Sequence, residues 1–313
     1  MDNTLTVPAR KKPRSVFSSQ KRNRKVFIGL TVGPMFAYFC LGIIIPNLFS
    51  IALSFFKWNG LNWKFTWMGF KNYAKIFKDP IILKALLNNL YFAIVNMVLV
   101  ICIALFVAAL LSNKSVKRTG FFRALVYFPN IMSVVVVSIM WKFMYDPQLG
   151  IVNAVLKAIG LEDWTRVWLG NIRTVRPALV IPQVWGAVGL YILIYMTTMK
   201  SINPSVYEAA EMDGGNKIQQ FFYITVPIML PTIKMTMIYF LAGALNGGFA
   251  FIKIMTDGGP NRESTVLTSY LYEKAFTQND MGYGAAIGVF VLIVGFVMYF
   301  VIEKFIKSEV YET

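Results

Sequence analysis

Histidine is absent from this chain of 313 residues, and cysteine occurs twice, at Cys40 and Cys102. Without histidine, the usual proton shuttle and the commonest metal ligand are missing. Both cysteines lie inside apolar runs, where a thiol acts as a small hydrophobe, so no disulfide framework is expected. Charge is scarce as well. Only 15% of residues are charged, against about 25% in soluble domains. No G-x-x-x-x-G-K-[ST] run occurs, so the chain has no phosphate-cradling loop of that type. H-E-x-x-H, paired-cysteine metal motifs and G-x-S-x-G are missing too, and an enzyme reading has no site to rest on. The apolar runs carry no Asp or Glu until Glu303, at the end of the last. Ion-coupled carriers usually hold carboxylates or histidines near the bilayer midplane, so their lack argues against a carrier of that kind.

What is present is apolar: 57% of residues are hydrophobic. Runs of about 20 such residues are long enough to cross a ~30 Å hydrocarbon core. The expected fold is an all-α integral membrane protein with about six transmembrane helices. The expected spans are 26–50, 88–111, 121–145, 178–199, 232–252 and 283–302, with kinks at Pro34 and Pro46. Residues 55–87, with Trp58, Trp63 and Trp67 among lysines, suit a membrane–water interface. Gly186, Gly189, Gly243, Gly247 and Gly248 fit close helix packing.

The net charge of +16 invites a nucleic-acid reading, but the basic residues are spread over loops between spans, and topology explains them better. Residues 1–25 hold eight lysines and arginines against one acid, Asp2, and resemble a disordered tail. A second basic cluster, Lys114, Lys117, Arg118 and Arg123, lies between the second and third spans. Placing both clusters inside puts both termini in the cytoplasm. The expected organisation is a basic tail over 1–25, a membrane domain over 26–305 and a short tail over 306–313. Lipid is then a partner and nucleic acid is not.

The longest polar break on the inner side covers 203–231. Asn203 is a good helix N-cap and Pro204 suits the first helical position. About ten helical residues follow, with Glu208 and Glu211 on one face. Gly214 and Gly215 stop that helix, because glycine readily takes the left-handed conformation a helix end needs. A second short helix is expected over 216–226, before Pro227 and Pro231. The product is a stiff helix–turn–helix knob at a membrane surface.

Here the chain resembles a known family. Glu208-Ala209-Ala210, then Gly214, then Ile224-Thr225-Val226-Pro227 is similar to the EAA loop of ABC importer permeases, with Val226 where the family usually has leucine. The resemblance implies a type I importer permease fold in a bacterial plasma membrane. It implies that Glu208, Ala209, Ala210, Asp213, Gly214, Ile224 and Pro227 form a coupling loop docked on a cytoplasmic ATPase. ATP and Mg would be bound by that ATPase, and this chain would hold no cofactor. Further stretches, Ser54-Phe55-x-x-Trp58, Gly69-x-x-Asn72-Tyr73, Phe121-Phe122-Arg123-Ala124-Leu125 and Thr256-Asp257-Gly258-Gly259-Pro260, resemble carbohydrate-uptake permeases. They imply a second homologous permease, two ATPase copies and an extracytoplasmic sugar-binding protein.

Polar and aromatic residues within spans are candidates for a solute path: Asn88, Asn89, Asn96, Gln183, Trp185, Tyr191, Tyr195 and Asn246. Amides and aromatic faces suit a neutral sugar, although such groups also bond helix to helix. The main expectation is a sugar or oligosaccharide permease. The alternatives are a permease for a polyol or glycerol phosphodiester, and an ATPase-independent channel.

Overall fold

A computed structural model describes residues 16–112 and 118–305, without the side chains of 16–23, 25, 244–247 and 305. Most of the basic tail, Lys114, Lys117 and the tail over 306–313 lie outside what is described. The chain divides into two compact units, Met1–Ala52 and Leu53–Thr313. In the first, α1 (Val16–Phe39) passes through Pro34 without a break. A π-turn at Cys40–Ile44 follows, then α2 (Ile45–Leu53).

The second unit begins with a β-hairpin, β1 (Phe56–Lys57) paired antiparallel with β2 (Thr66–Trp67). The short α3 (Lys71–Lys78) leads into α4 (Pro80–Ser112). With 33 residues α4 is roughly 50 Å long and overruns the hydrocarbon core. The helices α5 (Thr119–Ile131) and α6 (Val134–Met144) come next, then the small α7 (Ile151–Ala158) and the long α8 (Val175–Ser201). The polar break holds α9 (Pro204–Met212) and α10 (Lys217–Gln220). The long α11 (Val226–Met255), the short α12 (Leu267–Tyr272) and α13 (Met281–Phe305) complete the unit.

Five described helical stretches are long and apolar enough to cross a membrane, or six if α5 and α6 together make one span. That pair is bent by 95°, so the continuous third span expected over 121–145 is not what forms. Pro129 removes a backbone donor in the last turn of α5. Met132 then turns extended, and the Ser133 side chain accepts from the Val135 amide to begin α6.

The fifth span also differs from expectation. The second helix of the knob does not stop at Pro227: it runs from Lys217 through a π-turn at Phe221–Thr225 into α11. Proline in a helix collides with the carbonyl four residues back. A π-turn adds a residue and moves that carbonyl aside. The first unit repeats the device, since its π-turn ends at Ile44 and Pro46 follows two residues later.

The core lies between α4 and α8. Phe92, Met97, Val100 and Ala104 from α4 meet Val184, Tyr191 and Tyr195 from α8. Small residues let these backbones approach. Gly189 is such a position, because a Cβ there would lie 2.3 Å from the Val126 carbonyl oxygen on α5. Gly186 and Gly243 have no such neighbour, and Gly248 has only ordinary contacts beyond 3.8 Å. Of the described glycines expected to pack closely, Gly189 alone does so by this measure.

Candidate functional site

The residues singled out by sequence concentrate in the knob around α9, and one of the expected path residues, Gln183, lines a cavity beside the bend between α5 and α6. The knob forms as its sequence dictates. The Asn203 side chain accepts from the Ser205 amide at 3.1 Å, with Pro204 opening α9. At the far end Gly214 has φ +82°, and its amide donates to the Glu211 carbonyl at 3.1 Å. Gly215 donates to the Ala210 carbonyl at 2.8 Å. The two glycines serve different needs. Gly214 faces open space but needs the left-handed conformation, whereas a Cβ on Gly215 would press within 2.9 Å of the Ala210 oxygen. Asn216 and Gln219 then cap α10 reciprocally, at 2.8 and 2.9 Å.

Several contacts absent from the sequence reading tie α9 to the following helix. The Tyr207 and Thr225 hydroxyls are 2.9 Å apart. Gln220 Nε2 donates to the Gly215 carbonyl at 3.1 Å. Lys217 pairs with Glu211, and its hydrogen bond and charge hold the Glu211 carboxyl below its ordinary pKa. Glu208, on the same face, has no ion pair among the described residues. The two carboxylates that share a face therefore differ, one paired within the knob and one left free and exposed. On another face of the knob Ala210, Asp213, Gly214 and Ile224 line one open depression of about 310 Å³. Ala209 is exposed, and Pro227 lies just past the π-turn. Met212, Ile218, Phe222 and Tyr223 expose apolar surface around the knob.

The second place is a cavity of about 400 Å³, whose lining includes Pro129, Asn130, Gln183, Gly186, Phe249 and Phe251. Of the expected path residues whose side chains are described, Gln183 alone lines it. Asn96 donates to Gln183 Oε1 at 3.1 Å, and the buried Asn96 Oδ1 has no partner among the described residues. Trp185 packs edge-on against Trp141, with centroids 6.0 Å apart. Tyr191 is buried against Phe240. Tyr195 is buried and shares a hydroxyl contact of 2.6 Å with Thr236. The Asn246 side chain lies outside what is described. Asn130, which sequence reasoning missed, donates to the Gly186 carbonyl at 3.1 Å. The Pro129-Asn130 pair in an apolar run was the signal for it.

Asn88 and Asn89 have a different task. Asn88 Nδ2 donates to the Arg262 and Thr265 carbonyls at 3.3 and 2.9 Å, and Asn89 Oδ1 accepts from the Leu267 amide at 2.7 Å. They clamp the 256–266 loop at the end of α11 away from the knob. Glu263 in that loop bridges Lys84 at 2.8 Å and Arg176 at 2.7 Å. Nearby, Asp79 accepts from the Tyr270 and Tyr283 hydroxyls at 2.7 and 3.0 Å.

Residues 100–308 match the family described as binding-protein-dependent transport system inner membrane component. A probable ABC transporter permease, YurN of Bacillus subtilis, is 36% identical, covering 86% of this chain and 92% of that one. The diacetylchitobiose uptake permease NgcF of Streptomyces coelicolor is 29% identical over 91% of this chain and 84% of its own. The lactose transport permease LacF of Rhizobium radiobacter is 30% identical over 90% and 95%. A chain of a bacterial alginate ABC transporter, crystallised with its alginate pentasaccharide-bound periplasmic protein, matches in fold with a TM-score of 0.78, at 22% identity, over 92% of this chain and 96% of that one. The chain belongs to the inner-membrane permeases of binding-protein-dependent ABC transport systems.

Proposed function

We propose that this chain is one of two homologous permease subunits of a bacterial sugar or oligosaccharide importer, driven by two copies of a separate cytoplasmic ATPase that binds ATP and Mg. An extracytoplasmic sugar-binding protein would deliver the solute. The observation that carries the reading is the knob: a capped short helix, fastened by Tyr207–Thr225 to the π-turn that leads into α11, with the exposed carboxylate of Glu208 on one face and an open depression on another. Such a knob suits a lever, because force on α9 passes straight into a continuous spanning helix. Closure of an ATPase dimer would draw two such knobs together and swing the spans between inward- and outward-facing states. Glu208 would supply the charged contact, and Ala209, Ala210, Asp213, Gly214, Ile224 and Pro227 the docking surface and its shape.

Relatives named for diacetylchitobiose, arabinooligosaccharides and lactose support a sugar as solute. The cavity near the bend agrees in chemistry: its described lining holds amides and phenyl rings and no charged side chain. A glycerol phosphodiester would want a cation there. We assign Asn96, Gln183, Trp185, Tyr191 and Asn246 to the solute path or its immediate support, with Gln183 nearest the solute.

The test is a mild-detergent pull-down of the tagged chain, wild type against Glu208→Lys. The wild type is expected to bring down an ATPase and a second permease, and the variant to lose the ATPase alone. A wild type that transports solute with no ATPase and no ATP requirement would replace this reading with a channel.

A further inference from the structure

The surface formed by the hairpin and α3 is apolar and without a protein cover within the Leu53–Thr313 unit. At 3.6 residues per turn α3 has three arcs. Asn72 and Ile76 are buried at 6% and 2% exposure. Phe70 and Phe77 share a second arc and are 75% and 81% exposed. Lys71, Lys75 and Lys78 form the third. The aromatic arc continues in both directions. Phe55 joins Phe70 to Trp67, with centroids 5.4 and 5.9 Å apart, and Phe77 touches Phe290 of α13 at 6.3 Å. Trp63, 91% exposed, extends the strip at the hairpin tip.

The hairpin beside these rings is fastened in place. Asn72 Nδ2 donates to the Ser54 and Phe56 carbonyls at 2.8 and 3.1 Å. The Gly282 amide donates to the Trp58 carbonyl at 3.3 Å, and a Cβ on Gly282 would lie 1.9 Å from the Phe56 oxygen. The hairpin is thus pinned to the start of α13, a spanning helix. Its charge is mostly of one sign. Residues 53–79 contain five lysines and a single acid, Asp79, whose carboxylate is occupied by two tyrosine hydroxyls. Lys75 is paired with Asp280 at 3.2 Å. Lys57, Lys64, Lys71 and Lys78 have no acidic partner among the described residues.

We infer that the hairpin and α3 form a binding surface for anionic phospholipid headgroups, on the side of the membrane away from the knob. The exposed rings lie at the acyl boundary, and Lys71 and Lys78 meet the phosphates. Lipid fits better than a protein partner because the aromatic arc reaches Phe290 on α13, a helix long and apolar enough to span a membrane, and because four lysines beside it have no acidic partner among the described residues.

The test uses the full chain, with whatever subunits copurify, in nanodiscs of phosphatidylcholine containing a minority of phosphatidylglycerol. Lipid retained after detergent extraction is measured against the bulk ratio. The wild type is expected to enrich phosphatidylglycerol, and Lys71→Gln with Lys78→Gln to lower that preference roughly tenfold. Equal enrichment in wild type and this variant overturns the inference. Phe70→Ser with Phe77→Ser is the second arm. If it releases a copurifying protein while lipid retention stays at the wild-type level, a protein covers this surface and the inference fails. Both lysines are exposed, so the lysine variant should fold and decides the matter if the phenylalanine variant does not.

Discussion

Among single residues, Gly214 and Glu208 carry most of the proposed coupling. At φ +82° a side chain with a Cβ is strained by about 1–2 kcal/mol. Gly214→Leu is expected to abolish solute uptake while membrane insertion and bulk melting temperature stay close to wild type, because nothing packs within 4 Å of that position. Gly214→Asn should keep partial uptake, since asparagine tolerates the left-handed region. Uptake in both variants at the wild-type rate would mean that the turn has no part in coupling. The EAA pattern made Glu208, Ala210 and Gly214 legible in the sequence. It did not distinguish Glu208 from Glu211, because three-residue spacing says only that they share a face. The Lys217 ammonium that occupies Glu211 comes from beyond the turn, and its reach depends on how the turn closes.

At the scale of elements, the α12–α13 region is held to the start of α4 by Asp79, and this makes it sensitive to acid. Burial alone would raise the Asp79 pKa, but the Tyr270 hydroxyl, the Ile81 amide, the Tyr283 hydroxyl and nearby Lys274 together hold it below the ordinary 3.8. A carboxyl depressed in the folded state contributes stability that is full above its unfolded pKa and is lost as pH falls through the folded value. Glu263, held low chiefly by Lys84, and Glu273, held low chiefly by Arg262, have the same sign. The melting temperature, read by tryptophan fluorescence, is therefore expected to fall as pH drops below about 4. Asp79→Asn should flatten part of that fall. An unchanged acid limb would show that the carboxylate contributes nothing there. The helices themselves were readable from apolar runs. The break at Met132–Ser133 and the passage of α11 through Pro227 were not, because a proline can end, bend or merely widen a helix. A neighbouring π-turn decided it in the second case, and the Ser133 cap in the first.

For the whole molecule, the testable consequence is sidedness. Both native cysteines lie in helices, Cys40 half-buried and Cys102 exposed along α4, and replacing them with alanine leaves a blank background. A cysteine at Asn261 is then expected to react with an impermeant maleimide in intact cells. One at Met212, 88% exposed in the knob, should react only after permeabilisation, together with a tag at either terminus. The reverse pattern would invert the topology. By itself the sequence determined the class of molecule, the approximate spans and the knob, since these follow from local quantities: apolar length, helix caps, glycine and a short motif. Only the tertiary structure decided which amides face a cavity and which clamp a loop. Asn88, Asn89 and Asn96 look alike along one helix. Their partners, Arg262, Thr265, Leu267 and Gln183, are distant in sequence and meet them only when the helices pack.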